Sequence, residues 1–229
     1  MSGQIFVVEG VDASGKESQT RALFERLKQE GHDVIRLSFP DYESESSSLV
    51  KMYLSGAFGD DPQDVTPYVA STFYAADRYA SYMTKWRAHY ERGGLIIADR
   101  YTTANMVHQA SKIDDEAEKK IFLSWLWQLE YEIYKIPKPD IVFFLDMPPS
   151  MSEQLIMARQ NKITGAQEKD IHEKDTSHLT KSHENAQFVS TLYNWDVISC
   201  IQDGQLRSIE NINDELYEKA MAFLERDTR

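Results

Sequence analysis

The sequence predicts an α/β protein built on a parallel sheet of five strands flanked by helices on both faces, and three observations carry that prediction. Five apolar runs of strand length recur, at 5–9, 33–38, 95–99, 140–146 and 195–201. Segments with helical patterning fill the intervals between them. The first strand runs into a glycine-rich turn that opens a helix. Strands alternating with helices, and nearly continuous in apolar character, indicate a sheet buried on both faces. The 229 residues suffice for one such domain with a substantial core, and no repeat, low-complexity stretch or linker divides them.

Each element follows from local signals. Strand 5–9 delivers the chain into Gly10-Val11-Asp12-Ala13-Ser14-Gly15-Lys16 and a helix over 15–30, which Gly31 ends. Strand 33–38 leads into Phe39-Pro40-Asp41-Tyr42, followed by helical patterns at 45–56 and 66–92. Gly93-Gly94 stops the longer one before strand 95–99, which closes on Asp99-Arg100-Tyr101. Helical patterns at 101–112 and 114–135 follow, the second stopped by Pro137-Lys138-Pro139. Strand 140–146 ends in Asp146-Met147-Pro148-Pro149 and enters a helix over 149–162. Residues 160–175 are polar, contain Gly165 and mix Lys162, Lys169 and Lys174 with Asp170, Glu173 and Asp175. That stretch reads as a solvated loop or as a mobile lid over a phosphate site. A helix over 176–193, strand 195–201 and a helix over 211–226 complete the chain.

Composition narrows the class. Hydrophobic content of 41% and charged content of 27% are those of an ordinary soluble protein. No apolar run reaches the length of a bilayer span and the start lacks a signal-peptide pattern, so a cytoplasmic protein is expected. A single cysteine, Cys200, excludes an intramolecular disulfide and a cysteine-rich zinc site; in its apolar run it reads as a small core residue. The net charge of −12 argues against a nucleic-acid binder, which would present a basic face. It also means that anionic substrates must be drawn in by local cations, so the position of each arginine is informative.

The glycine-rich turn carries the first chemistry. Gly-x-x-x-x-Gly-Lys at a helix N-terminus aims several backbone N–H groups at one point, and Lys16 adds a positive charge there. Gly10, Val11, Asp12, Ala13, Ser14, Gly15 and Lys16, with Glu17 and Ser18, therefore form a candidate ATP-binding loop. The residue after the lysine is usually Ser or Thr, whose hydroxyl meets magnesium; here it is Glu17. Three readings stay open: Glu17 meets the metal as a carboxylate, the metal is held by phosphates and other residues, or the site has lost turnover. The other strand ends, after 38, 99 and 146, present aromatic or polar groups to the same side. In open α/β sheets ligands gather there.

Taken together, these segments resemble thymidylate kinases of the P-loop nucleoside-monophosphate kinase group. The matching stretches are Glu9-Gly10-Val11-Asp12 with its loop, Phe39-Pro40-x-Tyr42-Glu43-Ser44, Tyr53-Leu54-Ser55-Gly56-x-Phe58-Gly59 and Ala76-Asp77-Arg78. They continue with Asp99-Arg100-Tyr101, Trp125-Leu126-x-x-Leu129-Glu130-Tyr131, Pro137-Lys138-Pro139-Asp140 and Leu145-Asp146-Met147-Pro148-Pro149. The resemblance implies a P-loop kinase fold with a lid at about 160–175, and magnesium-assisted transfer of the γ-phosphoryl of ATP to thymidine 5′-monophosphate (dTMP). It also implies a homodimer packed through long helices, for which 68–90 and 122–134 are rich in Trp, Tyr and Leu.

What the resemblance implies for single residues can be stated in the same terms. Lys16, Asp12, Arg100 and Arg159 would carry catalysis, with Arg78 and Arg100 holding the acceptor phosphate. Arg78 and Arg100 could instead pair with the neighbouring Asp77 and Asp99. Asp12, and a metal-facing Glu17, would meet magnesium. Phe39, Tyr42, Tyr74, Asn105, His108 and Gln109 would surround the base and sugar, and Glu173 would approach from the lid. Asp12, Ala13 and Ser14 include no arginine, so a lid cation is expected over the transferring phosphoryl: Arg159 first, with Lys162 and Lys169 behind it. Three departures stand out: Ala104 where Ser is frequent, His108 where a Tyr senses the absent 2′-hydroxyl, and Ile171 where arginine is frequent. A deoxyribonucleoside kinase would need a carboxylate base and usually shows Glu-Arg-Ser where this chain has Asp-Arg-Tyr. A non-catalytic nucleotide binder would have no use for two phosphate-binding arginines.

Overall fold

Strand β1 (Gln4–Glu9) occupies the middle of a five-stranded sheet. The computed structural model describes residues 2–162 and 176–227. On one side of β1 lies β3 (Leu95–Asp99) and beyond it β2 (Val34–Ser38); on the other lie β4 (Ile141–Asp146) and β5 (Asp196–Ser199). Every neighbouring pair is parallel, with Val8 opposite Asp99 and Phe143, and Ser38 opposite Asp99. The carboxyl ends of β1, β2, β3 and β4 therefore open on one edge, as the strand-end residues predicted.

Alternation along β1 divides the core. Phe6 and Val8 face a cluster with Leu23, Leu27, Phe143, Ile198 and Leu216, while Ile5 and Val7 face Trp86, Ile96, Tyr101 and Val142. The first face is covered by α1 (Lys16–Gln29) and, further along the chain, the C-terminal helix. The second is packed by Trp86, Tyr90, Trp127 and Tyr131 from the middle of the chain, whose helices are α2 (Ser48–Leu54), α3 (Pro67–Ser81), α4 (Arg87–Glu91), α5 (Thr102–His108) and α6 (Glu116–Trp127). Helix starts follow capping chemistry: Thr66 accepts from the Val69 N–H with Pro67 at the first helical position, and Asp115 accepts from the Glu118 N–H. After β4 come α7 (Pro149–Lys162), α8 (Thr176–Leu192) and, past β5, a short antiparallel hairpin of β6 (Ile201–Gln202) and β7 (Gln205–Leu206) before α9 (Ile209–Asp227).

Three expectations are corrected. The helix expected over 66–92 is interrupted by a π-helical stretch, Tyr82–Trp86, that turns Trp86 fully into the core. The helix expected over 114–135 likewise passes into a π-helical stretch, Gln128–Ile133. A single inserted residue re-aims a side chain without changing the apolar pattern, so periodicity does not register it. The run 195–201 is not one strand: β5 stops at Ser199, and the buried Cys200 precedes the hairpin, whose turn has Asp203 at φ 51° and Gly204 at φ 76°.

Candidate active site

The turn after β1 is built for anions. Gly15 has φ +87° and stands at the cap of α1, a left-handed conformation that lets the loop enter the helix directly. Gly10 has no room for a side chain, since a Cβ there would come within 2.6 Å of Ser14 Oγ and 3.1 Å of the Leu145 carbonyl. Lys16 is buried, and its Nζ donates to the Val11 carbonyl at 2.7 Å, so the ammonium lies inside the curl of the loop. Burial, reinforced by the Arg100 charge and opposed by Asp12, Glu9 and Asp99, lowers its pKa to about 8. Glu9 lies fully buried beneath the loop. It accepts from the Gly10 N–H at 3.0 Å and from Thr103 Oγ1 at 2.8 Å, and burial raises its pKa.

At the end of β3, Arg100 joins this loop to the rest of the crevice. Its Nη2 donates to Asp12 Oδ1 at 2.5 Å and its Nη1 to His108 Nε2 at 2.6 Å. Burial alone would raise the Asp12 carboxyl, yet the Arg100 and Lys16 charges hold it well below the usual carboxylate range. Arg100 is correspondingly pushed up: burial is outweighed by Asp12, Glu9 and Asp99. His108 is held well below the ordinary histidine value, first by burial and then by the Arg100 charge, so its Nε2 serves as an acceptor. His178, in the first turns of α8, stacks on His108 with ring centroids 5.7 Å apart.

The sequence-derived base-pocket residues converge on one cavity. It is lined by Asp12, Phe39, Tyr42, Tyr74, Arg78, Arg100, Asn105, His108 and Gln109, together with Pro40, Leu54, Ala104 and His178. Phe39 is both core and wall: it is buried and lies 5.8 Å from the Tyr101 ring while facing the cavity. Tyr42 is half exposed at the rim. Asn105 Nδ2 donates to the Ser71 carbonyl at 3.3 Å, and the buried Gln109 Oε1 has no partner among the described residues.

Two arginine expectations resolve differently. Arg100 pairs with Asp12 rather than with Asp99. Arg78 does not pair with Asp77; its Nε and Nη2 donate to Glu130 Oε2 and Oε1 at 2.7 and 2.5 Å, and its Nη1 to the Tyr101 carbonyl at 3.2 Å. Asp77 instead accepts from the Asp41 N–H at 2.8 Å and from Ser46 Oγ at 2.5 Å, fixing the loop that carries Phe39. Glu130 stands 52 residues from Arg78 and is brought inward by the second π-helical stretch, a placement no local signal predicts. His178, far along the chain from His108, was equally out of reach.

Glu17 lies outside this crowd. Its carboxylate makes an exposed pair with Arg21 at 3.2 Å. Among the described residues no group of three or more His, Cys, Asp or Glu is arranged to hold a metal ion. Glu173, Lys169 and Ile171 lie outside the described residues; Arg159 and Lys162 fall in the last turns of α7, and their side chains lie outside the description as well.

Comparison with known proteins agrees with this geometry. A family model described as thymidylate kinase matches residues 8–202. The thymidylate kinase of an Exiguobacterium species is 26% identical over 226 residues, covering 99% of this chain and 98% of that protein. That of Mycobacterium tuberculosis is 27% identical over 173 residues, 75% of this chain and 78% of its own length. A solved thymidylate kinase structure from Candida albicans superposes with a TM-score of 0.68 at 20% identity, over 96% of this chain and 92% of that one, which shows the shared fold. With the loop, the strand-end arginine and the aromatic cavity falling inside the matched span, the chain belongs to the thymidylate kinase family.

Proposed function

We infer that this protein transfers the γ-phosphoryl of ATP to dTMP, giving dTDP and ADP, and that the cavity beside the phosphate loop is the acceptor site. The observation that carries this reading is the contact of Asp12 with Arg100, which sets a phosphate-binding guanidinium between the loop of Lys16 and the aromatic cavity. A phosphate monoester has its second pKa near ~6, so the attacking oxygen is ionised at neutral pH and no general base is required. Catalysis is then alignment of two anions and neutralisation of the charge between them. Arg100 suits the acceptor phosphate because its fork can bind two oxygens at once. Lys16 and the loop N–H groups suit the donor β- and γ-phosphates. Asp12 orients Arg100.

Phe39 and Tyr74 form the apolar walls for the pyrimidine. Asn105, Gln109 and Arg78 supply directional polar groups, the buried Gln109 Oε1 being an acceptor in search of a donor. Arg78, with its charge compensated by Glu130, fits a neutral base better than a phosphate. Magnesium fits the donor set as an ion that arrives with the nucleotide: Asp12, Asp99 and Glu17 offer carboxylates near the loop, too sparse to hold a divalent cation unaided. Bound there, it would neutralise phosphate oxygens, with Asp12 and Asp99 as its protein partners and Glu17 at the margin. Arg159 and the segment that follows it would complete the donor side.

The long helices support a homodimer. Val69, Tyr79 and Met83 of the α3 region, with Ile121 and Ile133 of the α6 region, are exposed apolar side chains. Among the described residues no helix is long and apolar enough to cross a membrane, and a cytoplasmic location is part of the same proposal.

The test is ADP release with ATP and magnesium against dTMP, dUMP, UMP, dCMP and thymidine. Turnover led by dTMP supports the reading. Turnover confined to thymidine assigns a nucleoside kinase, and none with any acceptor despite ATP binding assigns a binder.

A further inference from the structure

Lys112 closes the short turn Ala110–Lys112 that follows α5, and its side chain reaches back to the helices on the other side of the acceptor cavity. Its Nζ donates to the Tyr53 hydroxyl and to the Pro62 carbonyl, each at 2.7 Å. Those partners stand 59 and 50 residues away in the chain. Tyr53, near the end of α2, is buried in a small cluster with Val65 and Ala70, against which Leu54, Phe73 and Tyr74 pack. The Tyr53 and Tyr74 rings meet edge to face, with centroids 6.4 Å apart. Leu54 and Tyr74 in turn line the acceptor cavity, as do Asn105, His108 and Gln109 from α5 and its cap.

The Tyr53 cluster is separate from the two clusters that pack on the sheet, so contacts between it and α5 set how the two walls stand. Asn105 supplies one such contact, donating to the Ser71 carbonyl at 3.3 Å; the two bonds of Lys112 are shorter and charge-assisted. Burying an ammonium is costly, and burial, opposed by Asp61, lowers the Lys112 pKa to about 8. The two acceptors offset that cost, and both belong to the wall that carries Leu54 and Tyr74. Asp61 is the charge that acts on the ammonium, and Tyr53 is its titratable partner. Helices α6 and α8, which pack on the same turn, direct Glu116, Lys119, Lys181 and Glu184 to a separate hollow beside Ser111. Lys112 itself is not part of the cavity lining, so whatever it does for the acceptor it does through other residues.

We propose that Lys112 is a positioning residue of the acceptor site, its ammonium clamping the wall of Leu54 and Tyr74 to the end of α5 and so fixing the width of the cavity. The inference rests on the dTMP kinase reading and adds to it a side chain outside the cavity lining. The clamp is set while Lys112 is charged and slackens as pH rises through about 8, because a neutral amine donates more weakly than an ammonium. Its effect falls on dTMP, since the phosphate loop and Lys16 stand at the end of β1 and make no contact with this wall.

Steady-state kinetics and equilibrium binding with dTMP and ATP test it, on wild type, Lys112→Met, Lys112→Arg and Tyr53→Phe. Wild type should turn over dTMP; failure of that arm overturns the kinase reading, and this inference with it. In Lys112→Met at pH 7 the KM and dissociation constant for dTMP should rise about tenfold, as two buried acceptors lose a charged donor. Its kcat and its KM for ATP should stay within about threefold of wild type. Lys112→Arg keeps charge and donors, so its KM for dTMP at pH 7 should return to within about threefold of wild type. Arginine does not titrate, so between pH 7 and pH 9 the wild-type KM for dTMP should climb about threefold more than that of Lys112→Arg. Taking the two as a ratio cancels the titration of Lys16. Tyr53→Phe keeps the packed ring and removes one acceptor; its KM for dTMP should rise about threefold with the KM for ATP unchanged, and it decides the matter if Lys112→Met does not fold. A KM for dTMP that stays unchanged or rises together with that for ATP overturns the proposal, as do equal pH dependences in wild type and Lys112→Arg.

Discussion

Asp12 and Arg100 meet at 2.5 Å across the mouth of the crevice, tying the phosphate loop to the end of β3. The arginine reaches that position from a left-handed backbone, φ +63°, anchored by its own N–H to the Val8 carbonyl at 3.2 Å. A non-glycine residue in that region costs about 1–2 kcal/mol. Such strain persists where the surroundings over-determine it, and here β1, Asp12 and His108 do so.

The first expected outcome concerns that guanidinium. Arg100→Ala should lower kcat/KM for dTMP by about 100- to 1000-fold, the scale of removing one preorganised charge-stabilising donor. The KM for ATP should stay within about threefold, and Arg100→Lys should recover only a minor share because a point charge replaces a fork. Steady-state kinetics with each substrate varied separates these effects. An unchanged dTMP response in Arg100→Ala removes the residue from the acceptor site.

Most of the fold was legible because strand and helix signals in this chain are local. The runs at 5–9, 33–38, 95–99 and 140–146 match β1 to β4 within a residue at either end, and Gly31, Gly93-Gly94 and Pro137-Lys138-Pro139 stop the elements they precede or follow. What escaped depends on tertiary context. Trp86 and Glu130 point inward only because a residue is inserted into the helical ladder, which leaves composition and spacing untouched. The loop, Arg100 and the aromatic residues were visible as motifs at strand ends, and the structure does gather them. The partner of Arg78 was not visible, because a pair 52 residues apart leaves no trace in either segment. His178 was missed for the same reason.

Lys16 offers a proton-linkage test. In the unliganded protein its pKa is lowered to about 8, so between about pH 8 and its unfolded value the folded protein carries the lysine largely uncharged. ATP phosphates in the loop stabilise the ammonium and draw its pKa back up. Binding of ATP near pH 9 should therefore take up close to one proton, measured by titration calorimetry in buffers of different ionisation enthalpy. At pH 6.5, where Lys16 is already charged, this uptake should vanish. Lys16→Met should abolish the uptake near pH 9 and reduce turnover by about 100-fold or more.

Glu17 stands where the motif has a hydroxyl, and its pair with Arg21 is an exposed contact between residues four apart on α1. Pairs of that kind contribute about 0.3–0.5 kcal/mol, so Glu17→Thr should leave the melting temperature within about two degrees of wild type. The hydroxyl supplies a magnesium ligand that the carboxylate, held outward by Arg21, does not. The magnesium concentration giving half-maximal activity should fall by about threefold or more. An increase instead would show that the Glu17 carboxylate itself meets the ion.

His108 connects Arg100 to α8 and gives a pH test with a defined sign. Its folded pKa lies well below 6.5, set by burial and by Arg100, opposed by Asp12, with His178 and Lys16 also lowering it. As pH falls below about 6.5 the unfolded chain takes up a proton at this position and the folded chain does not, so His108 lowers stability progressively toward acid. Glu9 and Asp99, both raised chiefly by burial, act in the opposite direction at lower pH, so the readout is a difference between variants. His108→Gln keeps an oxygen able to accept from Arg100 Nη1 and cannot titrate. Its melting temperature should fall less than that of wild type between pH 7 and pH 5, while its KM for dTMP stays within about threefold. His108→Leu should flatten the same pH dependence but raise that KM about tenfold, because a buried Arg100 N–H loses its acceptor. Equal KM values for the two variants would show that Asp12 alone positions Arg100.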